Sequence, residues 1–583
     1  MLDLTKVAKA ALAMALLQGC AQMTAAPQAA SAVAPPSYDL LIRGGTIYDG
    51  SGGAPFTGDI GIRGDRIAYA GPAQPATATK VVDAQGLAVT PGFINMLSWA
   101  NESLLVDGLG QSDLRQGVTL EVMGEGWSMG PLNQAMKLLS VERQGDFKYP
   151  IEWTSLGEYL SLLERRGITM NVASFVGATT VRQHELGERD VDPTPEQLGR
   201  MRALVRQAME EGALGVGTSL IYPPASFAET DELVALATEA ARCGGTYISH
   251  MRSEGDRLLE SIDELIEISR RSGAPAEIYH LKQVGRSNWG KLDAAIAKVE
   301  AARASGLKIS ADMYLYTAGG TGLAASMPPW VQDGGNEAML KRLKDPAVVA
   351  RVKREMLQPG SNWENLYLHA GPEGVLLASL TEPSLKPLAG KTVAEVATLR
   401  GVSPEQAVID LVLADQGRAS AIYFLMNEDN VRREAALPWV SFGSDAEASA
   451  PEGVFLKSST HPRAYGNFAR FLGKYVRDER VAPLADGIRR LTSLPASNLG
   501  LRDRGLLQPG MAADVVLFDP DTIADHATFA KPRQFATGVR HVFVNGVQVL
   551  RDGEPTGVKS GRFVKGAGWK GWPNGGACRP AAG

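Results

Sequence analysis

Two histidines, His250 and His280, each follow a short β-prone run, and one predicted helix separates the two runs. The helix has apolar residues along one face from Leu258 to Ile266, and Gly273 predicts its end. A strand, a helix and a second strand in this order form a βαβ unit, whose strands are parallel neighbours. Both imidazoles would then lie at the same edge of a sheet, where neutral imidazoles are suited to binding a metal ion. The alternative is that both are core histidines hydrogen-bonded to backbone.

Two carboxylates also follow apolar runs, Glu125 and Asp445. Glu125 is flanked by Gly124 and Gly126, which permit close backbone approach. One carboxylate and two imidazoles leave an open position on zinc for water, as in catalytic zinc sites, and the pKa of that water falls to about 7. Asp445 is then suited to act as general base and acid. The alternatives are a surface-turn carboxylate for Glu125 and a helix N-cap for Asp445.

The composition is that of an ordinary globular protein. Of the 583 residues 44% are hydrophobic, the formal net charge is −5, and no basic stripe indicates a nucleic-acid partner. With only seven histidines, a histidine-rich metal cluster is not expected. The cysteines Cys20, Cys243 and Cys578 form neither a CxxC pair nor a recognisable disulfide framework, and the state of the last two is left open.

The first residues are typical of an export signal, which we expect over residues 1–20. Lys6 and Lys9 precede a short apolar run, and Leu17-Gln18-Gly19-Cys20 resembles a bacterial lipoprotein processing site. A plain signal peptide and a disordered start are the alternatives. Residues 21–37, rich in Ala, Pro and Ser, predict a flexible tether. We therefore expect an exported, periplasmic protein with a lipid anchor at Cys20 as its one membrane contact.

The middle of the chain alternates β-prone runs with helical stretches, which is typical of a parallel α/β fold. Eight candidate strands predict a (β/α)8 barrel over residues 93–502: Phe93–Trp99, Val118–Glu125, Met170–Val176, Gly215–Tyr222, Thr246–His250, Glu277–Leu281, Lys308–Tyr316 and Trp439–Asp445. Residues 333–438 are too many for a simple crossover and predict an inserted small subdomain. Short strands at residues 38–92 and 503–565 predict a β-sandwich shared by both chain ends, followed by a tail at 566–583.

A set of motifs is distributed from Tyr38 to about Gly561: Pro91–Ile94, Tyr247–Glu254, Tyr279–Gly290, Asp312–Gly319, Gly443–Asp445, His461–Gly466 and Ala513–Val515. Together they resemble the N-acyl-D-amino-acid deacylases (D-aminoacylases) of the amidohydrolase superfamily. The resemblance implies a (β/α)8 metal-dependent hydrolase barrel with a composite β-sandwich and an inserted subdomain. It also implies a zinc cofactor and a small N-acylated substrate.

The chain departs from this family at the first predicted strand. The family has a His-x-His pair of metal ligands there, and this sequence has Leu97 and Trp99. The family's cysteine ligand corresponds to Glu125. The resemblance therefore implies one zinc per chain, held by Glu125, His250 and His280.

The resemblance also assigns Lys282, Arg463, Tyr222 and Tyr314 to substrate binding. Arg463 is suited to a bidentate carboxylate contact and Lys282 to a point-charge contact. The alternatives are salt bridging at the barrel rim for the cations and plain packing for the tyrosines. Gly320 stands where the family has a carboxylate-binding serine.

The leading interpretation is a zinc-dependent amide hydrolase that removes the acyl group from an N-acyl-D-amino acid or a related amide. A hydrolase of a cyclic amide, a bulkier amide or an ester is one alternative. A catalytically silent binding protein is another.

Overall fold

The structure, a computed structural model, describes residues 36–579. The predicted export signal, the lipidation site at Cys20 and nearly all of the predicted tether lie outside the described residues. Within residues 36–579, no helix is both long enough and apolar enough to cross a membrane.

The described part of the chain starts with five strands: β1 (Ser37–Ile47), β2 (Phe56–Arg63), β3 (Arg66–Gly71), β4 (Thr77–Asp83) and β5 (Ala88–Pro91). β1 lies at their centre, because it pairs antiparallel with β2 and parallel with both β4 and β5. Leu40, Ile42 and Ile60 are buried in an apolar core that these strands form with one another and with the end of the chain.

The next part of the chain alternates strands with helices. The strands are β6 (Phe93–Asn95), β7 (Val118–Met123), β8 (Asn171–Ser174), β9 (Val176–Gly177), β10 (Gly215–Ser219), β11 (Thr246–His250), β12 (Ala276–Ile278) and β13 (Ile309–Met313). The helices are α1 (Ser103–Val106), α2 (Gln111–Leu114), α3 (Gln134–Arg143), α4 (Leu156–Arg166), α5 (Ala178–Leu186), α6 (Pro195–Glu211), α7 (Thr230–Arg242), α8 (Leu258–Ser272) and α9 (Leu292–Ala304). β6, β7 and β8 form one parallel sheet, and β9 to β13 pair in sequence order in a second. The strands are fully buried, as parallel strands between helices usually are.

The predicted βαβ unit is present. β11 and β12 pair in parallel, and α8 joins them with Leu258, Ile262 and Leu265 buried. The helix ends at Gly273, whose φ of 73° is a left-handed conformation that favours glycine. β12 ends at Ile278, so His280 lies in the loop that follows, itself with a φ of 36°. The prediction of neighbouring parallel strands is confirmed.

A smaller unit follows β13. It contains β14 (Ala318–Gly322), α10 (Gly335–Arg342), α11 (Pro346–Met356), α12 (Leu366–Ala370), β15 (Val375–Ser379), α13 (Val393–Arg400), α14 (Pro404–Ala414), β16 (Ser420–Phe424) and α15 (Glu428–Ala435). β14, β16 and β15 pair antiparallel, and the unit has its own apolar core. Its first strand precedes residue 333, where the sequence predicted the insertion to begin.

The chain then returns to the parallel strands through β17 (Val440–Phe442), which pairs with β13. The loop after β17 is hydrogen-bonded to the loop after β6. Asp445 N donates to Leu97 O at 2.8 Å, and Trp99 N donates to Ala446 O at 2.9 Å. The two parallel sheets also meet where β8 of the first sheet is followed by β9 of the second, because a single residue separates these strands. All eight predicted runs overlap a strand, and the third run contains β8 and the first residue of β9.

The remaining helices are α16 (Arg463–Arg470), α17 (Leu484–Leu491) and α18 (Ser493–Asn498), and the last strands are β18 (Val515–Phe518), β19 (Val539–Val544), β20 (Val547–Arg551) and β21 (Glu554–Pro555). β18 pairs with β5, so both chain ends contribute to one nine-stranded mixed sheet, where the sequence predicted a sandwich. A disulfide joins Cys243, at the end of α7, to Cys578. The sequence left the state of these two cysteines open.

Candidate metal centre and active site

Glu125, His250 and His280 converge on one point. His250 Nδ1 lies 2.9 Å from Glu125 Oε1, and His280 Nε2 lies 3.0 Å from the same oxygen. All three residues are buried, with exposed fractions of 4%, 5% and 2%. The two imidazole rings are perpendicular, with centroids 4.5 Å apart. The structure thus brings together the three residues that the sequence predicted as metal ligands.

Backbone packing positions Glu125. The flanking Gly124 has a φ of 106°, and a Cβ there would lie 2.3 Å from the carbonyl oxygen of Phe175. Gly126 has a φ of 68°, and its Cβ would lie 2.4 Å from Cβ of Ser219. Neither position accepts a side chain without movement of a neighbouring strand or its loop. The two glycines therefore let the loop after β7 lie against the next strands and direct Glu125 to the histidines.

The donor set fits a zinc ion. One oxygen and two imidazole nitrogens lie within 4.8 Å of one another, and carboxylate and imidazole are common zinc ligands. With these nitrogens facing the ion, the opposite ring nitrogens would carry hydrogen. His280 Nδ1 lies 2.9 Å from Glu254 Oε1, an ion-pair distance, and His250 Nε2, which has no hydrogen-bond partner among the described residues, lies 3.5 Å from Glu254 Oε2. A carboxylate behind a metal-binding imidazole is common, because it orients the ring.

Glu254 is the functional residue that the sequence reasoning missed. Burial alone would raise its pKa, but the Lys282 ammonium and the imidazoles of His250 and His280 hold the pKa well below its usual value. The available signal was its position four residues after His250. That spacing did not distinguish Glu254 from an ordinary acidic residue ahead of α8.

The electrostatics of this cluster favour a cation. Burial and the Lys282 ammonium both lower the pKa of His280, yet the carboxylates of Glu254 and Glu125 raise it to about 10. The buried carboxylates therefore outweigh the loss of hydration of a positive charge beside them. A divalent cation benefits from the same field.

Trp99 connects the ligand cluster to Asp445. Its indole Nε1 lies 3.0 Å from Glu125 Oε2 and 3.0 Å from Asp445 Oδ1, so a single N–H is shared by two carboxylates. Leu97 is buried in an apolar cluster with Met96. Neither Leu97 nor Trp99 offers a metal ligand, and the indole lies between the two acidic groups.

Asp445 lies in the loop after β17, with a φ of 49°. Burial is the main cause that raises its pKa, and the Arg463 guanidinium opposes the shift. Arg463 Nη1 is 2.8 Å from Asp445 Oδ2, an ion-pair distance without hydrogen-bond geometry. Arg463 is 4% exposed, and neither its Nε nor its Nη1 has a hydrogen-bond partner among the described residues. A buried guanidinium with unpaired N–H groups is suited to an anionic ligand.

The other predicted substrate residues lie in the same place. Lys282 Nζ donates to Glu254 Oε1 at 2.6 Å and lies 2.7 Å from His280 Nδ1. The ring of Tyr314 lies beneath both cations, 4.4 Å from Arg463 Cζ and 5.5 Å from Lys282 Nζ. Tyr222 meets His250 edge-on, with centroids 5.4 Å apart.

Gly320 leaves space beside the guanidinium. A Cβ at this position would lie 3.7 Å from Arg463 Nη2. The three ligands, Asp445 and the four predicted substrate residues all line one cavity of about 860 Å³. The structure thus brings together every predicted site residue except Cys20.

Comparison with known proteins gives a consistent assignment. A model of the amidohydrolase family matches residues 80–550. D-aminoacylase of Alcaligenes xylosoxydans xylosoxydans is 34% identical over 535 residues, covering 90% of this chain and 97% of the relative.

Two solved structures are also similar, and each covers 91% of this chain and 100% of its own. One is N-acyl-D-glutamate deacylase from Bordetella bronchiseptica with zinc and a phosphonate inhibitor that mimics the tetrahedral intermediate (29% identity, TM-score 0.72). The other is a D-aminoacylase described as having a binuclear metal centre with one-metal activation and second-metal attenuation (32% identity, TM-score 0.74). The extent of these matches and the buried Glu–His–His cluster lead to one conclusion: the chain belongs to the amidohydrolase family.

Proposed function

We propose that this protein is a zinc-dependent deacylase that hydrolyses the amide bond of N-acyl-D-amino acids. The observation that carries the proposal is the contact made by Trp99. Its N–H lies 3.0 Å from both Glu125 and Asp445, which puts the carboxylate of the proposed base beside the metal-ligand cluster. Similarity to D-aminoacylase and to N-acyl-D-glutamate deacylase supports the substrate class.

Glu125, His250 and His280 would hold one zinc ion. When bound there, zinc would polarise the scissile carbonyl and lower the pKa of a water molecule. A single ion is proposed because Leu97 and Trp99 supply no ligand for a second, and because one-metal activation is described for a related D-aminoacylase. Glu254 fixes the orientation of His280 and lies behind His250.

Asp445 acts as general base and then as general acid. It accepts the proton of the attacking water and returns it to the leaving amide nitrogen, so that the amine departs neutral. Burial raises the pKa of this carboxyl, which makes it a stronger base than an exposed aspartate. Trp99 holds the carboxylate in place by donating to Oδ1.

Arg463 binds the carboxylate of the amino acid. Its guanidinium is buried, its Nε has no hydrogen-bond partner among the described residues, and its Nη1 contacts Asp445 only as an ion pair, whereas Lys282 donates a hydrogen bond to Glu254. Lys282 therefore contributes positive potential and holds Glu254. Tyr314 supports both cations from below, and Tyr222 covers His250.

Two wider inferences belong to the same proposal. The loop contacts between β6 and β17, and the direct succession of β8 and β9, support closure of the parallel strands into one (β/α)8 barrel. Export to the periplasm and lipid attachment at Cys20 remain proposals based on residues 1–20.

A substrate screen tests the proposal. Purified full-length protein loaded with zinc is incubated with N-acetyl-D-amino acids, their L-isomers, cyclic amides and esters, and release of free amine or acid is measured. We expect the D-series to be hydrolysed at least 100-fold faster than the L-series. Faster hydrolysis of cyclic amides or esters would show that one of these classes, and not the N-acyl-D-amino acids, is the substrate. No turnover of any compound, with zinc bound, would favour a silent binding protein.

A further inference from the structure

The active-site cavity is larger than the reacting groups require. Its volume of about 860 Å³ lies near the upper end of the range of about 300–1,000 Å³ that is typical of pockets for drug-sized ligands. Part of it extends beneath residues 127–153, the segment that follows Glu125 and contains α3.

This extension is mainly apolar. Six residues define it, and we call it the acyl arm: Met129, Leu132, Met136, Leu139, Ile151 and Trp153. The side chains of Leu132, Met136 and Trp153 are buried, and the other three are half-buried. The arm therefore combines a packed apolar base with apolar side chains that still have surface to cover.

Three polar residues beside the arm, Tyr149, Glu102 and Gln144, are paired with one another. Tyr149 donates its hydroxyl to Glu102 Oε1. Gln144 Nε2 donates to Tyr149 O at 2.8 Å, and Tyr149 N donates to Gln144 Oε1 at 3.4 Å. These three residues therefore already have hydrogen-bond partners, and the six apolar residues remain to contact a ligand.

The order of contacts around the site indicates which end of a substrate meets the arm. Arg463 Nη1 lies 2.8 Å from Asp445 Oδ2, and the indole of Trp99 lies between Asp445 and Glu125. The arm is formed by residues that follow Glu125 in the chain, so Asp445 and Trp99 lie between it and Arg463. A substrate with its carboxylate at Arg463 and its amide over the ligand cluster thus extends its acyl group toward the arm.

We propose that the acyl arm binds a medium-length alkanoyl group, which makes the substrate a hydrophobic N-acyl-D-amino acid rather than an N-acetyl one. The inference rests on the deacylase function proposed above. Burial of each methylene in an apolar pocket is worth about fourfold in binding when the fit is complete. Octanoyl adds six methylenes to acetyl, so a gain of at least tenfold in kcat/KM is expected even when most of that burial is incomplete.

The test compares N-octanoyl-D-alanine with N-acetyl-D-alanine as substrates of the zinc-loaded full chain. Leu139→Trp fills the arm from α3. Leu138→Trp is the matched control, because Leu138 is the adjacent residue of the same helix, is 64% exposed and does not line the cavity. We expect the wild type and L138W to prefer the octanoyl substrate at least tenfold in kcat/KM. In L139W, the octanoyl-to-acetyl ratio should fall at least tenfold.

Three results would overturn the inference. Hydrolysis of the acetyl substrate with no preference for the octanoyl substrate would show that the arm does not bind the acyl group. The deacylase function would still hold. An equal fall of the ratio in L138W would show that the effect is not local to the arm. If L139W impairs N-acetyl-D-tryptophan instead and leaves the octanoyl substrate unaffected, the arm holds the amino-acid side chain. Failure to cleave either acyl length would refute the deacylase function itself.

Discussion

Replacement of Glu254 by Gln should weaken zinc binding without loss of a direct ligand. Glu254 accepts a hydrogen bond from Lys282 Nζ at 2.6 Å, and its carboxylate lies 2.9 Å from His280 Nδ1 and 3.5 Å from His250 Nε2. The glutamine keeps the size of the side chain but removes the negative charge behind both imidazoles.

Loss of such a carboxylate typically reduces metal affinity by about 10- to 100-fold. One of the two imidazole contacts of Glu254 has hydrogen-bond length and the other is longer. We therefore expect a loss of about 30-fold, equivalent to about 2 kcal/mol. The variant should still bind about one zinc per chain when zinc is in excess.

The assay is a competition titration of metal-free protein with zinc and a chromogenic chelator at neutral pH. Glu405→Gln is the matched control, because Glu405 is also a buried glutamate and accepts from Tyr367 Oη at 2.7 Å, with no hydrogen bond to Glu254, His250 or His280. The reasoning is refuted if E254Q binds zinc within threefold of the wild type. It is equally refuted if E405Q loses as much affinity while retaining its melting temperature.

Three further predictions concern neighbouring groups. Asp445→Asn should lower kcat at least 100-fold while zinc content stays unchanged. A kcat within tenfold of the wild-type value, measured by steady-state kinetics, would show that Asp445 is not the general base. Trp99→Phe removes the N–H shared by two carboxylates and should lower the free energy of unfolding by about 1.5–3 kcal/mol in denaturant titrations, whereas an unchanged midpoint would show that the contact contributes nothing. Glu434 is 2% exposed, and burial is the main cause that raises its pKa to about 8, so the folded protein retains a proton that the unfolded chain loses between about pH 4.5 and pH 8. Stability should therefore fall with rising pH in this window by on the order of 5 kcal/mol more in the wild type than in Glu434→Gln, and parallel pH profiles would contradict the assignment.

The sequence was informative wherever a short stretch determines the structure. The apolar spacing in α8 and the stop at Gly273 placed His250 and His280 beside parallel neighbouring strands, because a βαβ unit has one common geometry. Gly124 and Gly126 indicated a close approach that the structure contains. Family membership also followed from local motifs, and the comparisons confirm it.

Features that depend on distant residues were not predictable in this way. The disulfide joins Cys243 and Cys578 across 335 residues of sequence, and no local spacing reveals it. The hydrogen bond from Trp99 to Asp445 joins residues 346 positions apart. The sequence showed that Trp99 replaces a metal ligand of the family, but it did not reveal this contact. The acyl arm depends on how residues 127–153 fold over the cavity, which periodicity alone does not determine.

The most direct test of the account is a zinc titration of activity. Metal-free protein receives increasing equivalents of zinc, and hydrolysis of an N-acyl-D-amino acid is measured at each step. A single site formed by Glu125, His250 and His280 predicts activity that rises linearly and reaches its plateau at about one zinc per chain. A plateau at two zinc ions per chain, or no hydrolysis at any zinc level, would contradict it.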